Sequence, residues 1–286
     1  MEKRKGQIGK KPIIYCASVS WGAGSLYMLL GLLEDPLLKL NMVVFVNMGE
    51  EFTATLKMRD KLLPVLAKRG IVYKEIDVSE EFAFGMYKRP VESMETGRIR
   101  YGYGFCGGPC RWGTGLKLRA LNQFYRQELS DYTIVEYIGI CACEEERQYR
   151  NVQNSFTIKR YPLMDWGITK RQAVQGCYNR GFFYEEESPV PGIDRVYLYE
   201  ILDNCSCCIC RNKNLKELKN IFYLLPQYWD RLKALQEAFP EMPMKGPGKS
   251  VFELEKRFIK EGRKVSLLDL VPPSERLVEE IKRDDV

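Results

Sequence analysis

The N-terminal third of the chain alternates short apolar runs with longer periodic stretches. Lys11–Ser18 (KPIIYCAS) and Leu40–Val46 (LNMVVFV) are compact and apolar, and Ile71–Ile76 is a third segment of this kind. Between them lie Ser25–Glu34, apolar almost all round, and Phe52–Arg69, whose Leu56, Leu62, Leu63 and Leu66 fall at helical spacing. Run length and period assign the first set to strands and the second to helices. A strand–helix–strand–helix–strand order predicts an α/β, Rossmann-like parallel sheet with flanking helices and right-handed crossovers.

Further on, Ser79–Gly115 is glycine-rich and reads as a loose connection. Thr114–Glu128 is helical and Thr133–Cys141 (TIVEYIGIC) is a strong strand. After Tyr161 the pattern becomes helical: Thr169–Arg180, with Thr169 as N-cap and Gly181 just past the end, then Asn214–Leu224, Gln227–Ala238 and Ser250–Glu261. The expected organisation is an α/β domain over 1–165, a mainly helical C-terminal portion over 166–270 packed on it, and a mobile charged tail over 271–286.

Composition narrows the chemistry. The chain has 286 residues, ten cysteines and no histidine. The missing histidine excludes Ser-His-Asp triads, Cys-His nucleophile pairs and His-ligated zinc, so any general acid or base is a carboxylate, Lys, Tyr or Cys. No run approaches the roughly 20 apolar residues of a membrane span, and the basic start leads into a strand rather than a signal-peptide core. A cytoplasmic protein is expected, and there clustered cysteines point to metal or redox chemistry rather than disulfides. The net charge of +6 permits an anionic ligand, nucleic acid included, but basic and acidic residues are well mixed and do not argue for one.

Two features carry candidate chemistry. Ser18-Val19-Ser20-Trp21-Gly22-Ala23-Gly24-Ser25 joins a strand to a helix. Glycines there let a ligand approach the backbone, the helix N-terminus offers free N–H groups, and Ser18, Ser20 and Ser25 add hydroxyls, which together suit a phosphate. The second feature is a pair of cysteine hooks, Cys106-Gly-Gly-Pro-Cys110 and Cys205-Ser-Cys207-Cys208-Ile-Cys210, the latter holding C-x2-C twice. Folded together they would supply four thiolates, which suit Zn²⁺ or a [4Fe–4S] cluster. Arg111, Lys117 and Arg211 would offset the charge, while Cys16, Cys141 and Cys177 read as buried core residues.

Six blocks in order resemble the phosphoadenosine phosphosulfate (PAPS) reductase family, a branch of the PP-loop, adenine-nucleotide alpha-hydrolase-like superfamily. They are SVSWGAGS, VFVNMGEEF (Val44–Phe52), YGYGFCGGPCRWGT (Tyr101–Thr114), YIGICACEEER (Tyr137–Arg147), YPLMDW (Tyr161–Trp166) and LDNCSCCICRNKNLKEL (Leu202–Leu218). The resemblance implies an adenine nucleotide (ATP, APS or PAPS), with Mg²⁺, on a loop formed by Ser18, Ser20, Gly22, Gly24 and Ser25. It places Asn47 near the phosphates and metal, Glu144 and Arg147 near the phosphate or sulfate, and Cys143 and Asp165 near the nucleotide; on the residues alone, Arg111 and Lys117 are either anion contacts or part of a solvated basic loop. The resemblance also selects Cys106, Cys110, Cys207 and Cys210 as the metal ligands, with Cys208 the main substitute. A thiol reductant or sulfur donor would be the partner. On the residues alone, Glu144 and Arg147 could pair on the surface, and Asp165 could cap the next helix.

The chain departs from that family where charge is expected. Gly24, Asn47 and Cys143 replace acids, and Trp21 replaces a glycine whose smallness would let phosphate approach. No cysteine follows Cys210, so the family's C-terminal nucleophile is missing. Three readings follow: sulfur-transfer or sulfonucleotide chemistry, an inactive nucleotide-binding module, and a nucleic-acid thiolation or phosphorothioation enzyme.

Overall fold

A computed structural model describes residues 11–105, 111–150 and 156–262. Its centre is a five-stranded, all-parallel sheet built from β1 (Ile13–Val19), β2 (Met42–Asn47), β3 (Val72–Asp77), β4 (Thr133–Ile138) and β5 (Thr157–Arg160). The spatial order is β3-β2-β1-β4-β5. The chain therefore winds outward from β1 in one direction, then returns to add β4 on its other side. The carboxyl ends of β1 and β4 flank the point where the winding reverses, which is where open α/β sheets make a crevice.

The flanking helices explain the apolar runs. The helix α1 (Ala23–Glu34) buries Ala23, Leu26, Met28, Leu29, Leu30 and Leu32. It lies between the sheet and α5 (Lys170–Tyr178), so both of its sides are covered, which is why its sequence is apolar almost all round. Gly176 makes the close contact with α5 workable, since a Cβ there would lie 2.1 Å from the Tyr27 ring. Helix α2 (Thr53–Lys68) buries Met58, Leu62 and Leu66. The remaining long helices are α3 (Ser79–Tyr87), α4 (Arg111–Glu128), α6 (Leu215–Leu224), α7 (Pro226–Ala238) and α8 (Val251–Glu261). Thr169, Asn214 and Ser250 cap α5, α6 and α8, each in a reciprocal pair with the Gln or Glu three residues on.

The expected α/β sheet with a mainly helical C-terminal portion is the observed fold. Residues 166–262 pack directly on the sheet domain: the α6–α7 leucines and Trp229 belong to the same continuous core as β1 and β2. Three elements were not legible in the pattern. Within the stretch expected to be loose, α3 forms because Phe82 and Met86, four residues apart, bury one side of a short helix, and Pro90–Glu92 pairs with Ile99–Tyr101 as a hairpin. Strand β5 is only four residues long and carries two cations, yet Lys159 is buried opposite Glu136 of β4. No helix among the described residues is long and apolar enough to cross a membrane.

Candidate functional site

A cleft of about 570 Å³ opens at the carboxyl ends of β1 and β4. One wall is the glycine loop, with Ser20, Gly22, Ala23, Gly24 and Ser25 at the start of α1. Gly139 and Cys141, just after β4, form the side next to it. The opposite wall is the cysteine loop, presenting Cys205, Cys207, Cys210 and Lys213. Lys117 of α4, Arg147 and Lys170 of α5 complete the rim.

The loop closes tightly on itself. The Ser20 N–H donates to the Ser25 hydroxyl (3.1 Å), which in turn donates to the Gly22 carbonyl (3.1 Å). Gly139 presses against the helix start, since a Cβ on it would lie 2.7 Å from the Ser25 Cα and 2.9 Å from its nitrogen. Two tyrosines from beyond residue 180 hold the loop, Tyr184 from the core and Tyr199 from the cleft. Tyr184 donates its hydroxyl to the Trp21 carbonyl (2.8 Å), and the Tyr199 hydroxyl accepts from the Ala23 N–H (2.7 Å).

Trp21 does not obstruct the cleft, contrary to the expectation from its size. Its backbone takes φ of +59°, the left-handed conformation that a glycine would adopt without strain. That turn sends the indole into the core, where it is fully buried against Phe45 and Tyr73. Asn47 is likewise turned away: its side-chain amide donates to Glu75 (2.8 Å) and its carbonyl oxygen accepts from the Gly49 N–H (2.9 Å). A carboxylate there would face Glu75, so the neutral residue answers a local electrostatic need outside the cleft.

The cysteine loop is fixed by polar contacts. Lys245 donates to the Arg211 and Lys213 carbonyls (2.8 and 2.7 Å), and Arg211 donates to the Phe105 carbonyl (3.1 Å). A hydrogen bond from Cys207, helped by Ser206, the Asn212 N–H and the charge of Lys213, outweighs burial and lowers the pKa of the Cys210 thiol to about 5, while the Cys207 thiol is pushed well up. Lys213 is only 2% exposed, donates to the Ser206 hydroxyl (3.0 Å) and lies over the Phe52 ring. A buried ammonium so placed favours an anion beside it. Cys208 points the other way, where its thiol donates to Glu50 (3.5 Å). It is not placed to substitute for Cys207 or Cys210.

Cys106 and Cys110 lie outside the described residues, as does the Arg111 side chain. The residues on either side of the first hook are informative. Phe105 and Trp112 line a small apolar cavity together with Cys207 and Cys210, and Tyr103 stacks on Trp112 at 5.2 Å. Phe105 and Trp112 therefore stand against the cysteine pair in a cavity separate from the cleft, while Tyr101 is exposed. Among the described residues no three Cys, Asp or Glu side chains converge as a ready metal site. The two thiols of Cys207 and Cys210, with a nearby buried cation and an apolar cover, suit half of a thiolate-ligated centre.

The other sequence candidates are dispersed. Ser18 is a β1 residue in register with Val44 and Ile138 and does not line the cleft. Lys117 lines the cleft but is paired with Glu51 at 2.7 Å. Glu144 also lines it, held by Arg147 (2.6 Å) and by the Cys141 N–H (3.3 Å), so the pairing read from their spacing is present. Cys143 is exposed and outside the lining; Cys141, two residues earlier, faces the cleft instead, its thiol pKa raised to about 11 by burial and by Glu144. Asp165 is exposed at the end of the short helix Pro162–Asp165 and neither lines the cleft nor caps α5. Sequence reasoning missed Tyr199, Lys213 and Gly139. Lys213 stands in the RNKN run beside the second hook, whereas nothing in the sequence joins Tyr199 to a loop 176 residues away.

No protein-family model matches the chain, and no curated protein matches it. Among solved structures it is similar to the U34-tRNA thiolase NcsA from Methanococcus maripaludis with its [4Fe-4S] cluster, at 15% identity and a TM-score of 0.40, over 90% of this chain and 74% of that chain.

Proposed function

We propose that the cleft binds the phosphate end of an adenine nucleotide and that the protein is a nucleotide-dependent sulfur transferase of the PP-loop kind. A single observation carries this reading: the glycine loop and the cysteine loop form opposite walls of one cleft at the reversal point of the sheet. The N–H groups of Gly24 and Ser25 open the helix towards the ligand, and a helix N-terminus favours a phosphate. Lys213 and Lys170 add positive charge. Glu144 and Arg147 stand at the rim, where the arginine would orient an anionic acceptor.

Cys207 and Cys210, together with Cys106 and Cys110, would hold a [4Fe–4S] cluster or zinc. Such a centre would supply a site for holding or delivering sulfur beside the activated acceptor. The acceptor is more consistent with nucleic acid than with a sulfonucleotide. The cations Arg147 and Lys170 stand at the cleft mouth, where a phosphate backbone would pass.

Anaerobic purification followed by iron, acid-labile sulfide and zinc analysis tests the centre. Metal should be present in the wild type and largely lost in Cys207→Ser and Cys210→Ser. ATP titration, with pyrophosphate release measured with and without RNA, tests the reaction. Nucleotide binding without product would assign the chain to the inactive module, and absence of both metal and nucleotide binding would sink the proposal.

A further inference from the structure

The Tyr199 hydroxyl occupies a backbone donor of the glycine loop on the cleft side. Ala23 is the first residue of α1, and its N–H is one of the unpaired donors that give a helix N-terminus its attraction for anions. In this protein that donor is taken by the Tyr199 hydroxyl at 2.7 Å. The Ser20 N–H is taken as well, by the Ser25 hydroxyl. The phenol is held firmly in this position. Its ring packs edge-on to Tyr184 at 4.9 Å, and its hydroxyl also bonds the Cys205 thiol on the opposite wall. A Cβ at Gly22 would come within 3.3 Å of the same oxygen, so the hydroxyl and the loop are in close contact.

We propose that Tyr199 is a selectivity residue that occupies a phosphate-oxygen position in the loop, so that a phosphate gains the Ala23 N–H only by displacing the hydroxyl. The inference rests on the nucleotide reading above and deepens it. A neutral phenol oxygen is a weaker acceptor than an ionised phosphate oxygen, because charge-assisted hydrogen bonds are roughly twice as strong as neutral ones. Displacement is thus open to a multiply charged phosphate. It is less favourable for a weakly basic monoanion or for sulfate, which accepts hydrogen bonds less strongly. The tyrosine makes the loop discriminate among anions of similar shape, and it does so from the wall that carries the cysteines.

The probes are inorganic pyrophosphate, ATP and sulfate, titrated calorimetrically into the wild type, Tyr199→Phe and Tyr184→Phe. The phenylalanine at 199 keeps the ring packing and removes the competing oxygen. Pyrophosphate and ATP should then bind about fivefold more tightly, equivalent to about 1 kcal/mol, and the preference for pyrophosphate over sulfate should shrink. Tyr184→Phe loosens the loop at Trp21 without freeing the Ala23 N–H, and should bring no gain. An unchanged or weaker affinity in Tyr199→Phe, while the wild type still binds ATP, overturns the inference and leaves the nucleotide reading standing. Binding by Tyr199→Phe alone would make Tyr199 a block and not a selector, which overturns the inference and removes nucleotide as the wild type's ligand. Binding by neither protein overturns both.

Discussion

The side-chain amide of Asn47 donates to the Glu75 carboxylate across the β2–β3 pair at 2.8 Å. Arg59 and Tyr73 reach the same carboxylate, at 3.2 and 2.7 Å, so Glu75 is the hub of a small polar network beneath Trp21. Asparagine at this position is a member of that network and not a vacancy in a catalytic set. Asn47→Asp should therefore lower stability by about 1–2 kcal/mol at neutral pH, since it replaces a donor by a second acceptor of like charge. Urea denaturation of the two proteins at neutral pH should show that deficit. A gain in nucleotide binding from this variant would contradict the orientation described for Asn47.

Trp21 combines an unfavourable backbone conformation with a favourable burial. Left-handed backbone costs a non-glycine residue about 1–2 kcal/mol, while truncating a buried aromatic costs about 3–5 kcal/mol. The burial is the larger effect. Trp21→Gly should thus lose about 2–3 kcal/mol in a denaturant titration even though glycine suits the backbone better. Pyrophosphate affinity of the folded variant should stay within about twofold, because the indole does not line the cleft.

Gly139 and Gly24 face each other across the cleft floor but differ in what surrounds them. A Cβ on Gly139 would meet the backbone of Ser25 at 2.7 Å, whereas one on Gly24 would meet the Gly139 carbonyl oxygen at 3.3 Å and Cys141 Sγ at 3.5 Å. Gly139→Ala should push the start of α1 out of place and weaken pyrophosphate binding by about tenfold or more. Gly24→Ala should fold with a small loss. Gly24→Asp would set a carboxylate near the Gly139 carbonyl, so it should weaken anion binding rather than restore a catalytic acid. Calorimetry on the three variants separates these outcomes.

Glu136 gives stability a pH dependence. Burial raises its pKa from an ordinary 4.5 to about 6, against the opposing charge of Lys159 and a hydrogen bond with Tyr125. A carboxyl whose pKa is raised in the folded state contributes stability below its unfolded pKa and loses it as the pH rises through the folded one. Between about pH 4.5 and pH 7 the loss should be about 2 kcal/mol, because each tenfold change in proton affinity corresponds to about 1.4 kcal/mol. Across that window the denaturant midpoint of the wild type should fall relative to that of Glu136→Gln, a comparison in which the opposing contribution of the Cys210 thiol, whose pKa is lowered, cancels.

The central strands were legible because β2 and β4 are buried on both faces along their middles, which leaves uninterrupted runs such as Met42–Val46. The helices were legible from period and from caps such as Thr169. The cleft was legible only in part. Gly22, Ser25, Cys207 and Cys210 advertise themselves by residue type and spacing. Side-chain direction was not encoded that way. Trp21 reads as a blockage until its positive φ is known, Asn47 as a lost acid until Glu75 is seen beside it, and Cys143 as the reactive thiol until Cys141 is found facing the cleft. In each case the deciding fact is a neighbour distant in sequence or a single dihedral, and neither leaves a local signature.

The hold of Tyr184 and Tyr199 on the glycine loop also bears on how the molecule is made. Residues 18–25 leave the ribosome early, but the hydroxyls that fix Trp21 and Ala23 are synthesised 163 and 176 residues later. Contacts of such long separation close late, because the intervening chain must first be ordered. A nascent or truncated chain ending before Tyr184 would thus have the sheet's first strands and an unshaped loop. The cleft proposed to take a nucleotide gains its second wall, with Cys207, Cys210 and Lys213, only in the final third of the polypeptide, so binding there would report completed synthesis and folding rather than the N-terminal half alone.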